Sequence, residues 1–149
     1  MQAEVLQPDS LVEVEATEVV LNENGEFALG VRVTWAGAQT ARLDDVRFAH
    51  HVESDGGDLI TIGRGCGANW DDEAEELFLA CTADLQLILL EPGETHEYPI
   101  RIPVKAGPLD LAPGTYAVDE PIHWWLQESI EAPATAEGEF TIRLTYDVE

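Results

Sequence analysis

Apolar and polar residues alternate over much of this chain, with the period of a half-buried strand rather than that of a helix. From Glu26 to Trp35, the residues Phe27, Leu29, Val31, Val33 and Trp35 share one face, while Ala28, Gly30, Arg32 and Thr34 take the other. The C-terminal stretch repeats the pattern, with Phe140, Ile142, Leu144, Tyr146 and Val148 set against Thr141, Arg143, Thr145 and Asp147. Val12, Val14 and Ala16 predict an earlier strand. The turn Asn22-Glu23-Asn24-Gly25 then leads into the Phe27 strand as a hairpin.

Shorter strands follow between turn signals. Leu43 to Val52 reads as one strand carrying Val46, Phe48, His50 and Val52 on a face, with a phase slip near Asp44-Asp45 that predicts a bulge. Asp55-Gly56-Gly57 turns the chain into Leu59 to Ile62. Leu85 to Leu90 is apolar on both faces, which predicts a central strand. His96 to Val104 alternates, but Pro99 and Pro103 each remove a ladder donor, so this is read as an edge strand or one paired on one side only. Pro113-Gly114 opens Thr115 to Val118, Ile122 to Leu126 follows Pro121, and Glu131 to Gly138 is a loop. Asn69 to Leu77 departs from the pattern. An Asn cap followed by acidic residues in a first turn predicts a short helix there.

The expected fold is therefore all-β: an antiparallel β-sandwich of about eight or nine strands with one short helix in a cysteine-closed loop. At this length, residues 1–149 form one domain, in which residues 1–9 are a flexible or strand-donating segment and residues 64–84 the cysteine loop.

The stretch Leu90-Glu91-Pro92-Gly93-Glu94-Thr95, then Tyr98 to Val104, then Leu111-Ala112-Pro113-Gly114-Thr115-Tyr116-Ala117-Val118 resembles bacterial immunoglobulin-like domains. There an L-x-P-G-E turn precedes one strand and a P-G-T-Y turn begins the next. Such domains occur in exported proteins and in the bacterial intracellular proteinase inhibitor family. The resemblance implies an immunoglobulin-like sandwich. It carries over no functional residue, because the inhibitory loops of that family match nothing in this sequence.

Composition limits the partners. Thirty Asp and Glu against seven Lys and Arg give a net charge of −23. Such a surface repels phosphate backbones and anionic headgroups, which excludes nucleic acid and membrane surfaces. No apolar run approaches the roughly 20 residues of a membrane helix, and the first ten residues have neither a basic nor an apolar leader region. Cys66 and Cys81 lack metal-ligand spacing and suit a disulfide, which closes a loop worth roughly 3 kcal/mol in unfolded-state entropy. A bridge implies an oxidising compartment. The chain is thus expected to be extracytoplasmic (periplasmic, secreted or on the cell surface), its signal peptide absent from the sequence given. Low Lys with high Asp and Glu also fits a surface kept hydrated in brine.

Catalytic chemistry finds no support. There is no G-x-S-x-G, the serines have no placed base, and Gly63-Arg64-Gly65-Cys66-Gly67 lacks the Lys of a phosphate loop, so the chain is read as a non-enzyme without a cofactor. Asp71, Asp72 and Glu75 are the candidate Ca2+ ligands, although a solvated helix face explains the same cluster on so acidic a chain. His51 and Glu53 can face the same way, and His50 must face the other. Trp124 and Trp125 are adjacent on a strand, so one indole points inward and the other outward. Trp70, Trp124 and Trp125 are the candidate binding residues. The leading functional reading is a non-catalytic immunoglobulin-like binding or assembly module of an exported or cell-surface protein, recognising a protein or carbohydrate partner. The alternatives are a structural subunit that forms homo-oligomers by strand addition, with Ala3 to Leu6 as the donated strand, and a protease inhibitor.

Overall fold

The computed structural model describes residues 2–6 and 11–149, without the side chains of Gln2, Glu4, Leu6, Lys105 and Ala106. Met1 and residues 7–10 lie outside the described residues, and with them part of the segment 1–9 expected to be flexible or strand-donating. Fifteen strands and no helix are found among the described residues. The first five are β1 (Gln2–Leu6), β2 (Val12–Ala16), β3 (Val20–Leu21), β4 (Glu26–Trp35) and β5 (Ala41–Leu43). Then come β6 (His50–Ser54), β7 (Gly57–Gly63), β8 (Cys66–Asp71), β9 (Glu76–Cys81) and β10 (Ile88–Leu90). The last are β11 (Thr95–Pro103), β12 (Lys105–Ala106), β13 (Leu109–Asp110), β14 (Gly114–Leu126) and β15 (Ala136–Val148).

A five-stranded sheet runs β1-β15-β14-β5-β10, and a six-stranded sheet runs β2-β4-β11-β7-β6 with β3 also on β4. The ribbons β8-β9 and β12-β13 stand apart. Alternation decides what the two large sheets share. Leu29, Val31, Val33 and Trp35 from β4 join Ile122, Phe140, Ile142 and Leu144 from β14 and β15 in one buried cluster. Each such side chain stabilises the fold by about 1.5–3 kcal/mol over its exposed state. The opposite pleat of β7 builds a second, smaller cluster, in which Ile60, Ile62 and Cys66 are covered by Ala68, Leu77 and Leu79 of the β8-β9 ribbon.

Turn chemistry matches the sequence where φ must be positive. Asn22 caps its own turn, its side-chain oxygen accepting from the backbone of Asn24 and Glu26, and Gly25 takes φ +75°. At Glu91-Pro92-Gly93-Glu94 the Glu94 N–H donates to the Glu91 carbonyl while Gly93 sits at φ +86°, the geometry of a type II turn.

The all-β expectation stands, but the immunoglobulin-like sandwich of eight or nine strands with a helix does not. The segment Asn69 to Leu77 belongs to the β8-β9 hairpin, with Cys66 opposite Cys81, Trp70 opposite Leu77 and Asp71 opposite Glu76. Acidic residues suit an exposed turn as well as a helix N-terminus, and Ala68, Trp70, Leu77 and Leu79 share one hairpin face. Leu43 to Val52 is not one strand either. The phase slip marks the place where residues 44–49 carry the chain from the five-stranded to the six-stranded sheet, with Phe48 buried at φ +48°.

Leu85 to Leu90 does not occupy a central position, because β10 ends the five-stranded sheet. Ile88 and Leu90 are buried, whereas Leu85 and Leu87 are exposed. The proline-bearing β11 lies between β4 and β7, paired along its length with β4 but over only Ile100 and Arg101 with β7. The segment Ala3 to Leu6 lies in β1, antiparallel to β15 of the same chain.

Candidate functional site

The three candidate tryptophans occupy three different settings. Trp124 faces the core, its ring 5.5 Å from that of Trp35, and closes one end of the space between the sheets. Trp125 faces outward, with the Arg42 guanidinium 4.4 Å from its ring centroid and His123 stacked beside it. Trp70 stands on the disulfide hairpin, against the turn at Gly107, and lines a different cleft from Trp125.

The Trp70 cleft, of about 350 Å³, is formed by β6, the β8-β9 hairpin and β13. Trp70, Leu77 and Leu109 supply apolar walls, and His51, Glu53, Glu75 and Glu76 supply polar ones. The side-chain alternation of β6 puts His51 and Glu53 together, as their spacing requires. The hairpin is anchored by the Cys66–Cys81 disulfide and by the packing of Ile60 and Ile62 beneath it. His51 Nε2 lies 3.3 Å from Asp58. Among the described residues, the carboxylates of Glu53, Glu75 and Glu76 form no hydrogen bond or ion pair.

Of the three residues named as Ca2+ ligands, Asp71 turns its carboxylate back on the hairpin, accepting from the backbone N–H of Glu73 at 2.9 Å and of Ala74 at 3.1 Å. Asp72 and Glu75 are exposed in the turn. Among the described residues, no group of three or more His, Cys, Asp or Glu side chains is gathered to hold a metal ion.

Most of the arginines, by contrast, are committed to carboxylates or carbonyls. Of seven Lys and Arg, one is Lys105, which leaves six arginines. Arg32 bridges Glu15 and Glu97, Arg101 ties Glu26 to the Cys66 carbonyl, and Arg143 grips Asp119 at 2.7 Å and 2.9 Å. Asp45, with its carboxylate 5% exposed, accepts from Arg64 and from the Gln86 backbone. Arg47 donates to the carbonyls of Arg64, Thr82 and Asp84. Together these pin residues 82–87 beside the hairpin base. Arg42 differs: among the described residues it meets no carboxylate and lies instead over the Trp125 ring. Little of this network is visible in the sequence: Asp45 and Arg47 are near neighbours, but the other contacts join residues from 17 to 75 positions apart.

The remaining histidines are structural in their contacts. His50 of β6 meets Glu120 of β14, which ties the two large sheets, and His123 lies 2.9 Å from Glu139. His96 packs on the edge of Tyr98, and burial lowers its pKa. Burial raises the pKa of the Tyr98 and Tyr146 hydroxyls.

No protein-family model, curated protein or solved structure matches this chain. The likeness of its proline-glycine turns to bacterial immunoglobulin-like domains has no match beside it.

Proposed function

We propose that this chain is a non-catalytic binding module that captures a cationic segment of a protein partner in the Trp70 cleft. The observation that carries this reading is the set of unpaired carboxylates around Trp70, at Glu53, Glu75 and Glu76. Bare carboxylates occur elsewhere on the surface too, but here three of them share one cleft with an indole and a pair of leucines. An Arg or Lys side chain entering the cleft meets negative charge and a ring together, and the −23 net charge draws it in at long range.

Magnitudes decide what kind of ligand is needed. An exposed ion pair contributes about 0.2–1 kcal/mol and an exposed cation–π contact about 0.5–1 kcal/mol. Their sum over this cleft is about 1–4 kcal/mol, which is millimolar binding or weaker. A free amino acid is therefore a poor ligand, and recognition requires an extended basic segment that continues over the acidic hairpin.

Titration of Trp fluorescence with an arginine-rich peptide tests this reading. Saturable quenching that Trp70→Phe alters supports it. Saturation by a neutral oligosaccharide in preference to the peptide would instead make the cleft a carbohydrate site.

A further inference from the structure

We infer that the edge of β6 accepts an added strand from the partner protein, in which basic residues alternate with apolar ones so that every second side chain enters the Trp70 cleft. This rests on the cation-binding reading of the cleft, and gives the bound segment a backbone conformation and a sequence pattern. β6 ends the six-stranded sheet, with β7 on one side and, among the described residues, no strand on the other. Ser54 and Gly57 are paired across the two-residue turn Asp55-Gly56. A pair that closes so short a turn is a hydrogen-bonded one, and bonded and non-bonded pairs alternate from there. Val52 with Leu59 and His50 with Thr61 are therefore the next bonded pairs. Glu53 and His51, which alternate with them, turn their main-chain N–H and C=O away from β7. Among the described residues, no backbone group beyond β7 meets them.

The same two residues send their side chains into the cleft. Edge and cleft are thus one site. In an added antiparallel strand, the residues opposite Glu53 and His51 lie on the face of Glu53 and His51, because directly opposed side chains point the same way. They look onto the cleft that Trp70, Glu75 and Glu76 also line. With the carboxylates of Glu53, Glu75 and Glu76 bare beside an indole, those positions take arginine or lysine. The intervening residues stand beside Val52, which packs against the main core, and His50, which meets Glu120 of β14. Cover for the Val52 side chain favours an apolar residue there.

Charge narrows the occupant further. A net charge of −23 repels an acidic segment. A second copy of this chain cannot supply the pattern either, because no two of its seven Lys and Arg stand two positions apart. The occupant is therefore a basic, extended segment of another protein. Main-chain hydrogen bonds from Glu53 and His51 add the affinity that the side-chain contacts of the cleft lack, while the cleft selects which side chains face it. Antiparallel pairing continues the order of the sheet, in which every neighbouring strand pair is antiparallel.

Short peptides titrated into the unsubstituted chain at about 0.05 M salt, read by Trp fluorescence, are the test. In one peptide arginine and valine alternate, and in the other the same residues stand in two blocks. The alternating peptide is expected to bind at least tenfold more tightly. In its complex, exchange of the Glu53 and His51 amides is expected to slow, while that of Val52, already bonded to β7, changes little. N-methylation at the arginines removes donors that face β6 and is expected to cost at least tenfold, whereas N-methylation at the valines, whose N–H groups face away, costs less than threefold. Equal costs at both sets of amides, or a larger one at the valines, overturn antiparallel addition. Equal affinities for the two peptides, each lost in the triple variant Glu53→Gln, Glu75→Gln, Glu76→Gln, overturn the added strand and leave the cation cleft standing. Failure of both peptides to bind overturns the two together.

Discussion

The ring of Trp124 in the five-stranded sheet lies 5.5 Å from that of Trp35 in the six-stranded sheet, at an interplanar angle of 54°. Both rings have glycine neighbours that leave them room: a Cβ on Gly138 would stand 2.4 Å from the Trp124 ring, and one on Gly37 2.5 Å from the Trp35 ring. Trp124→Ala is expected to cost about 3 kcal/mol of stability, and Gly138→Ala about 1–3 kcal/mol by overpacking. Trp125→Ala, which removes an outward ring, is expected to cost about 1 kcal/mol or less. Urea unfolding midpoints check the order. A Trp125 loss as large as the Trp124 loss would contradict the inward and outward assignment.

Replacing both cysteines with serine is expected to cost about 3 kcal/mol, the value for a loop of this length. The hairpin covers its own cluster at Ile60 and Ile62, apart from the main core. Hydrogen exchange is therefore expected to accelerate in β8 and β9 while β4, β14 and β15 stay protected. Uniform acceleration would mean that the hairpin and the core open as one unit.

Asp45 holds residues 82–87 through Arg64 and the Gln86 amide. Asp45→Ala leaves the Gln86 amide without its acceptor and Arg64 held by Asp84 alone, and is expected to lower stability measurably. Asp84→Ala removes an exposed partner of the same arginine and is expected to change stability far less. Equal losses in thermal unfolding would show that Asp45 is not the anchor.

Acid acts in two windows. Burial lowers the His96 pKa, so below the ordinary value of about 6.5 the unfolded chain takes up a proton that the folded one resists. Stability is expected to fall as pH drops from there through the lowered folded value, and His96→Gln flattens that slope. Asp84, held down by the Thr82 and Arg64 hydrogen bonds, and Asp119, held down by Arg143, act lower. Their contribution is present above the ordinary carboxylate pKa and is lost as pH falls through the lowered folded values. Thermal unfolding of His96→Gln, Asp84→Asn and Asp119→Asn against pH separates the windows.

Strands were legible in the sequence wherever one face is buried and the other wet, as at Phe27 to Trp35 and Phe140 to Val148. The disulfide was also legible, because its partners are close in sequence. The hairpin was not, because Asp71 to Glu76 carries the composition of a helix start, and only the pairing of Trp70 with Leu77 distinguishes the two. Leu85 to Leu90 reads as buried on both sides because composition cannot say whether a second face is covered. Trp70 was visible as a candidate, but Glu53 reaches the same cleft only through the antiparallel β6-β7 hairpin and the fold of β8-β9 over it. The Asp45, Arg47 and Arg64 network depends on contacts between distant segments, for which the chain carries no local pattern.

Calorimetric titration of an arginine-rich peptide at about 0.05 M salt, where surface charge is least screened, tests the cation-binding cleft most directly. It compares the unsubstituted chain with the triple variant Glu53→Gln, Glu75→Gln, Glu76→Gln and with a control, Glu18→Gln, Glu23→Gln, Glu128→Gln, that removes the same charge elsewhere on the exposed surface. The cleft variant is expected to lose at least tenfold in affinity and the control less than threefold, with binding to the unsubstituted chain weakening as salt rises. Equal losses in both variants would show that the peptide binds the acidic surface at large, and would contradict a site at Trp70.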